Sequence, residues 1–190
     1  MTLPIDLPTP SSKLPTLQQL WLPISAMIVV VVASNYLVQF PLNSWLTWGA
    51  FTFPVAFFVT DLTNRAVGAQ AARRVAWAGF TIAVVVSLAL APWRIAVASG
   101  VAFIAGQLLD ITLFSRLRAQ TWWKAPLIGS LVASAVDTGL FFFLAFNGSS
   151  VPWLPLAAGD LAIKALMAVL LLAPYKMVLP RLQVWAPARN

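Results

Sequence analysis

Asp61, Asp110, Asp137 and Asp160 are four of the five acids in this chain, and each falls within or at the edge of an apolar run. Lys164 shares the run of Asp160, and Arg65 stands at the end of the run that holds Asp61. Ionisable groups at membrane depth are costly; they face the bundle interior or a wet cavity, find partners, and mark transport paths. Spacing sorts them. Asp61 and Arg65 stand four residues apart with the acid first, as do Asp160 and Lys164. That order suits a helical ion pair, so each pair can neutralise itself. Asp110 and Asp137 have no basic residue one turn away. They require a partner on another helix, a ligand or a proton.

The neighbours of these acids resemble cavity walls. Ser99, Phe103, Gly106 and Asp110 share one helical stripe, with Gly100 and Gln107 beside it; Ser130, Ser134, Asp137 and Phe141 share another. Gly and Ser let helices approach closely, but packing does not explain Asp and Gln at the end of a stripe. Phe53, Phe57, Asp61 and Asn64 fall on one face, as do Asn35 and Gln39 at a spacing of four. Aromatic rings beside carboxylate and amide groups suit a flat heterocycle that makes hydrogen bonds.

The elements that must carry these residues are membrane helices. The 190 residues are 61% apolar and 9% charged, against about 25% charged in soluble domains. Six apolar runs are long enough, or nearly so, to cross a hydrocarbon core of roughly 30 Å: residues 20–40, 48–64, 75–91, 95–114, 125–146 and 156–173. Pro54 inside the second run predicts a kink or the start of a new half-helix. Residues 1–18 read as a disordered polar tail, 19–182 as the transport domain, and 183–190 as a C-terminal tail, with Pro174 ahead of a basic segment. The weakly basic, proline-rich start argues for an uncleaved first helix rather than a signal peptide.

Alternate loops place Lys13, Arg65, Arg73, Arg74, Arg116, Arg118, Lys124, Lys176, Arg181 and Arg189 on one side and only Arg94 on the other. The expected fold is therefore an all-α, polytopic membrane protein of six transmembrane helices with both termini cytoplasmic. The nine tryptophans fall near proposed helix ends, as an interfacial belt requires. The net charge of +7 thus reads as topology, not as a nucleic-acid surface.

The chain has no Cys and no His. Thiol nucleophiles, thiolate metal sites and the commonest general base are excluded. No Gly-rich phosphate loop or metal-ligand cluster appears, so neither ATP hydrolysis by the chain itself nor a resident cofactor or metal is expected. An enzyme acting on lipid through Mg²⁺ would need paired acids, and no D-x-x-D occurs.

N-Y-L-V-Q at 35–39, T-W-G-A-F-T-F-P at 47–54, V-T-D-L-T-N-R at 59–65, Q-L-L-D at 107–110, L-F-S-R-L-R at 113–118 and D-T-G-L-F-F at 137–142 resemble the queuosine precursor transporter family, also called the vitamin uptake transporter family. The resemblance spans roughly residues 33–182. It implies a bacterial inner-membrane importer of deazaguanine bases, 7-cyano-7-deazaguanine and 7-aminomethyl-7-deazaguanine, for tRNA modification. It also implies likeness to substrate-binding subunits of energy-coupling-factor transporters. A secondary-type importer is the leading reading; a subunit that needs an ATPase partner to import a vitamin-like heterocycle is the alternative. A membrane enzyme and a purely structural subunit follow behind. In the leading reading Asp110 and Asp137 contact the base edge, Asp61, Asn64 and Arg65 bind or gate, and Asn35, Gln39 and Gln107 line the route. Phe53 and Phe57 stack on the base, with Asp160 and Lys164 completing the substrate set. A homo-oligomer stays open.

Overall fold

The computed structural model describes residues 17–37, 40, 42, 43, 46 and 48–185. Among these residues there are eight helices and no strand: α1 (Leu17–Leu37), α2 (Gly49–Thr52), α3 (Pro54–Ala66), α4 (Ala69–Leu90), α5 (Trp93–Leu117), α6 (Lys124–Phe146), α7 (Trp153–Leu170) and α8 (Leu172–Trp185). Five of them, α1, α4, α5, α6 and α7, are long and apolar enough to cross a membrane.

The expected second span is divided. Pro54 lacks an N–H and its ring clashes with the preceding turn, so it opens a helix rather than continuing one. α2 ends at Thr52 and α3 begins at Pro54. The 13 residues of α3 rise about 20 Å, short of a bilayer core. The basic segment after residue 173 is also helical. Pro174 sits in the first turn of α8, where a backbone N–H has no partner within the helix and proline costs little. The third span starts earlier than the apolar run, at Ala69, because the Ala-rich stretch 69–76 favours helix. Trp77 consequently lies two turns inside α4 rather than at its end.

Gly68 makes the turn between α3 and α4 at φ 107°, a conformation that residues with a Cβ rarely adopt. The turn collects basic segments at one end of the bundle. Arg65 Nη1 donates to the Arg118 carbonyl at 2.8 Å, and Arg65 Nε donates to the Tyr175 hydroxyl at 2.9 Å. Arg94, on the far turn, donates instead to the carbonyls of Leu144 and Asn147. Arg65 and Arg118 thus lie at one end of α5 and Arg94 at the other.

A core of Met27, Val31, Ala56, Val59, Val75, Ala83 and Phe103 joins α1, α3, α4 and α5. The outward faces expose Trp21, Val85, Trp93 and Leu154, as lipid contact permits. Glycines set the two approaches that matter for the polar residues. A Cβ on Gly106 would stand 3.1 Å from Asp137 Cβ, and one on Gly129 would stand 2.7 Å from Asp110 Oδ1. Small residues at these crossings bring α5 and α6 together with their acids between them.

Candidate functional site

Lys164 of α7 is buried and holds two carboxylates. Its Nζ lies 2.7 Å from Asp137 Oδ2 on α6 and 2.6 Å from Asp160 Oδ2 one turn earlier on its own helix. The Thr138 hydroxyl closes the cluster: it accepts from Lys164 Nζ at 3.0 Å and donates to Asp160 Oδ2 at 2.8 Å. The i,i+4 pair expected of Asp160 and Lys164 is formed. Asp137 finds the partner on another helix that its spacing required. Two carboxylates against one ammonium leave one negative charge uncompensated, and the acid side chains keep 18% and 20% of their surface exposed. Free acceptor lone pairs therefore remain for a donor ligand.

That exposure faces a cavity of about 610 Å³, inside the range of about 300–1,000 Å³ typical of small-molecule sites. Phe53, Phe103, Phe141, Phe142 and Phe146 contribute to its wall, with Asn35, Asn43, Ser87 and Ser99 as polar points. Asn35 is fixed within this wall: its Nδ2 donates to the Val31 carbonyl at 2.9 Å, and Ser87 Oγ donates to its Oδ1 at 3.0 Å. The lining includes Asn43, Leu90, Ala91, Ile95 and Phe146, which belong to the weakly basic end of the bundle. The charged triad thus forms the deep part of a cavity that borders that end.

A second polar group lies deeper toward the basic end. Asp61 and Asp110 are 2% and 0% exposed, and their carboxyls lie against each other. Gln107 Oε1 accepts from Thr60 at 2.9 Å. Asn64 Nδ2 donates to the Ile111 carbonyl at 3.1 Å and to Ser115 Oγ at 3.0 Å. These bonds clamp α3 to α5. Arg65 does not take Asp61 as its hydrogen-bonding partner. Its guanidinium reaches Tyr175 and Arg118 and lies 5.2 Å from the centre of the Phe114 ring. The guanidinium at the end of α3 extends toward that helix terminus, so α5 and α8 offer the nearer acceptors.

A narrow crevice of about 10 Å³ links the two groups, bordered by Phe57, Asp61, Ser130, Ser134, Lys164 and Tyr175. Lys164 borders both spaces.

The twelve site residues read from the sequence therefore divide by depth. Asn35, Phe53, Asp137, Asp160 and Lys164 line the large cavity. Phe57 and Asp61 border the crevice. Asn64, Gln107 and Asp110 are buried between helices, and Arg65 braces the basic end. Asp110 is thus away from the cavity wall where contact with a base edge was expected, because Gly129 lets α6 cover it. Gln39 lies outside the described residues. Sequence reasoning missed Thr138, Ser87 and Tyr175. Thr138 had a signal in its position next to Asp137; Ser87 and Tyr175 gain their roles only from contacts 52 and 110 residues away.

Among the described residues no group of three or more acid, His or Cys side chains could hold a metal ion. Between Asp137 and Asp160 the position a cation would take is filled by the Lys164 ammonium.

The family described as "Putative vitamin uptake transporter" matches residues 47–92 and 87–178. The chain is 36% identical over 181 residues to the queuosine precursor transporter of Escherichia coli (strain K12), covering 80% of this chain and 82% of that protein. It is 34% identical over 194 residues to the probable queuosine precursor transporter of Haemophilus influenzae, covering 80% and 83%. No solved structure matches the chain.

Proposed function

Because this chain belongs to the vitamin uptake transporter family, we propose that it imports queuosine precursors, as the names of its relatives describe. It is a multi-pass membrane protein. The substrate is a 7-deazaguanine base, the cyano or aminomethyl form, taken from outside the bacterial inner membrane. The observation that carries this reading is the Lys164–Asp137–Asp160 triad at the depth of an aromatic-walled cavity. A guanine-like edge presents adjacent N–H donors, and the spare lone pairs of Asp137 and Asp160 accept them in the manner that acids read base edges. The Phe rings offer faces for stacking. Lys164 fixes both carboxylates so that they need not reorganise on binding.

In this reading α2 and α3 together make the second of six crossings, both termini are cytoplasmic, and residues 19–182 form one transport unit. Charge distribution supports it: the basic turns meet at one end, with Arg94 at the other. The chain acts as a carrier and not as an enzyme.

The test is rescue. A bacterial host unable to make queuosine receives this gene and is fed 7-cyano-7-deazaguanine. Queuosine should return to its tRNA. A well-expressed chain that restores none overturns the proposal.

A further inference from the structure

Asp61 and Asp110 stand apart from the cavity and from the charge triad. Their carboxyls meet in the gap between α3 and α5, nearly or wholly sealed from solvent. Among the described residues neither is in a salt bridge. Three of their four oxygens, Asp61 Oδ1 and both oxygens of Asp110, have no hydrogen-bond partner among the described residues. A buried acceptor without a donor loses its hydration without replacement, and a charged one loses more. Two ionised carboxylates in contact would add direct repulsion.

The surroundings show what could relieve this. α6 presents Gly129 to Asp110, and neutral Ser130 and Ser134 to the crevice beside Asp61. α4 meets this part of α5 with Ala72 and Ala76 against Ile111. The ionisable groups that face Asp61 are Arg65 on its own helix, Lys164 from α7 and Tyr175 from α8. Arg65 is engaged with Tyr175 and Arg118, and Lys164 with Asp137 and Asp160. A hard metal cation asks for about six oxygen ligands; Gly129, Ala72, Ala76 and Ile111 offer no side-chain oxygen, and Thr60 and Gln107 already bond each other. A proton asks for one oxygen and supplies the missing donor between the two acids.

We propose that Asp61 and Asp110 form a proton-binding site, separate from the base-binding cavity, whose loading and release couples import of the base to entry of a proton. The proposal rests on the import reading above. The geometry provides a route. Lys164 borders the outer cavity and the crevice, Asp61 borders the same crevice, and Tyr175 lies on it where α8 packs at the basic end. The crevice, at about 10 Å³, is on the scale of one water molecule. A proton arriving from outside leaves a hydronium ion as its O–H bond breaks, releasing water, and forms an O–H bond on one carboxylate that the other carboxylate accepts. On the cytoplasmic side that O–H bond breaks and the proton leaves to water. No other bond changes.

The test uses the full chain in proteoliposomes with labelled 7-cyano-7-deazaguanine, the membrane potential clamped by potassium and valinomycin. With the exterior one pH unit more acid, steady-state accumulation should rise about tenfold for one proton per base, since a pH unit is worth about 1.4 kcal/mol. Asp61→Asn and Asp110→Asn should each fall to the wild-type level without a gradient. A substrate-free measurement accompanies it: the infrared difference between alkaline and acid buffer should show a carboxylic C=O stretch in the wild type that Asp110→Asn lacks. Wild-type uptake that ignores the pH gradient, or follows sodium at uniform pH, overturns the proposal and leaves the import reading standing. Absence of the carboxylic band overturns it whatever the uptake. Absence of wild-type uptake with the band present counts against the import reading and supports the proton site.

Discussion

Lys164 Nζ lies 2.7 Å from Asp137 Oδ2, across the boundary between α7 and α6, while the same nitrogen holds Asp160 within its own helix. One buried ammonium therefore ties two neighbouring helices at the depth of the cavity. A buried pair stabilises little against an apolar substitute, but breaking one strands a charge and costs about 3–5 kcal/mol. Lys164→Met should lower the melting temperature in detergent substantially, because two carboxylates then face each other without their cation. Adding Asp137→Asn should recover part of that loss and leave uptake abolished. A Lys164→Met protein as stable as the wild type would show that the triad is not a structural tie.

The aromatic wall of the cavity makes a separate prediction. Phe53 borders the cavity and Phe57, one turn on, borders the crevice. Removing an aromatic platform beneath a base costs about 1–3 kcal/mol of binding, or about 5- to 150-fold in Kd. Phe53→Ala should weaken ligand-dependent thermal stabilisation by 7-cyano-7-deazaguanine to that extent. An unchanged Kd would move the base away from this wall.

Much of this arrangement is legible in the sequence. Pro54 predicted the break between α2 and α3, and the spacing of Asp160 and Lys164 predicted their bond. The same spacing yields no such bond between Asp61 and Arg65. Periodicity says which residues share a face, but it is silent about which side chain reaches further along the axis or what the next helix offers there. Arg65 bonds a tyrosine 110 residues away. Depth was equally hidden: Asp110 and Asp137 looked alike in sequence, yet one meets Asp61 in a sealed gap and the other lines a cavity. That difference comes from how α6 lies on α5, which Gly106 and Gly129 permit and no single-helix pattern encodes.

Gly129 makes this last point testable. A Cβ there would meet Asp110 Oδ1 at 2.7 Å, whereas one on Gly139, in the same helix, would meet nothing within 4 Å among the described residues. Gly129→Ala should destabilise by about 1–3 kcal/mol through overpacking. Gly139→Ala should be neutral or stabilise by up to about 1 kcal/mol, since glycine is the weaker helix former. Equal effects at the two positions in thermal unfolding would mean that α6 does not seat Asp110 as described.

Arg65 and Tyr175 connect α3 to α8 at the basic end, with Arg118 as a second acceptor and Phe114 beneath the guanidinium. Lysine cannot copy this, because its ammonium is a point charge without the planar fork or the stacking face. Arg65→Lys should therefore destabilise by about 1–3 kcal/mol despite keeping the charge. Tyr175→Phe removes only the hydroxyl and should cost about 1 kcal/mol. The two changes should not add: once Arg65 is gone, Tyr175→Phe has little left to lose. A double-mutant cycle in thermal unfolding measures that coupling. Strict additivity would show that the Arg65–Tyr175 bond does not hold α8 to the bundle, and that α8 is kept in place by its other contacts, among them Tyr175 with Phe114 and Ala125 and Lys176 over Trp122.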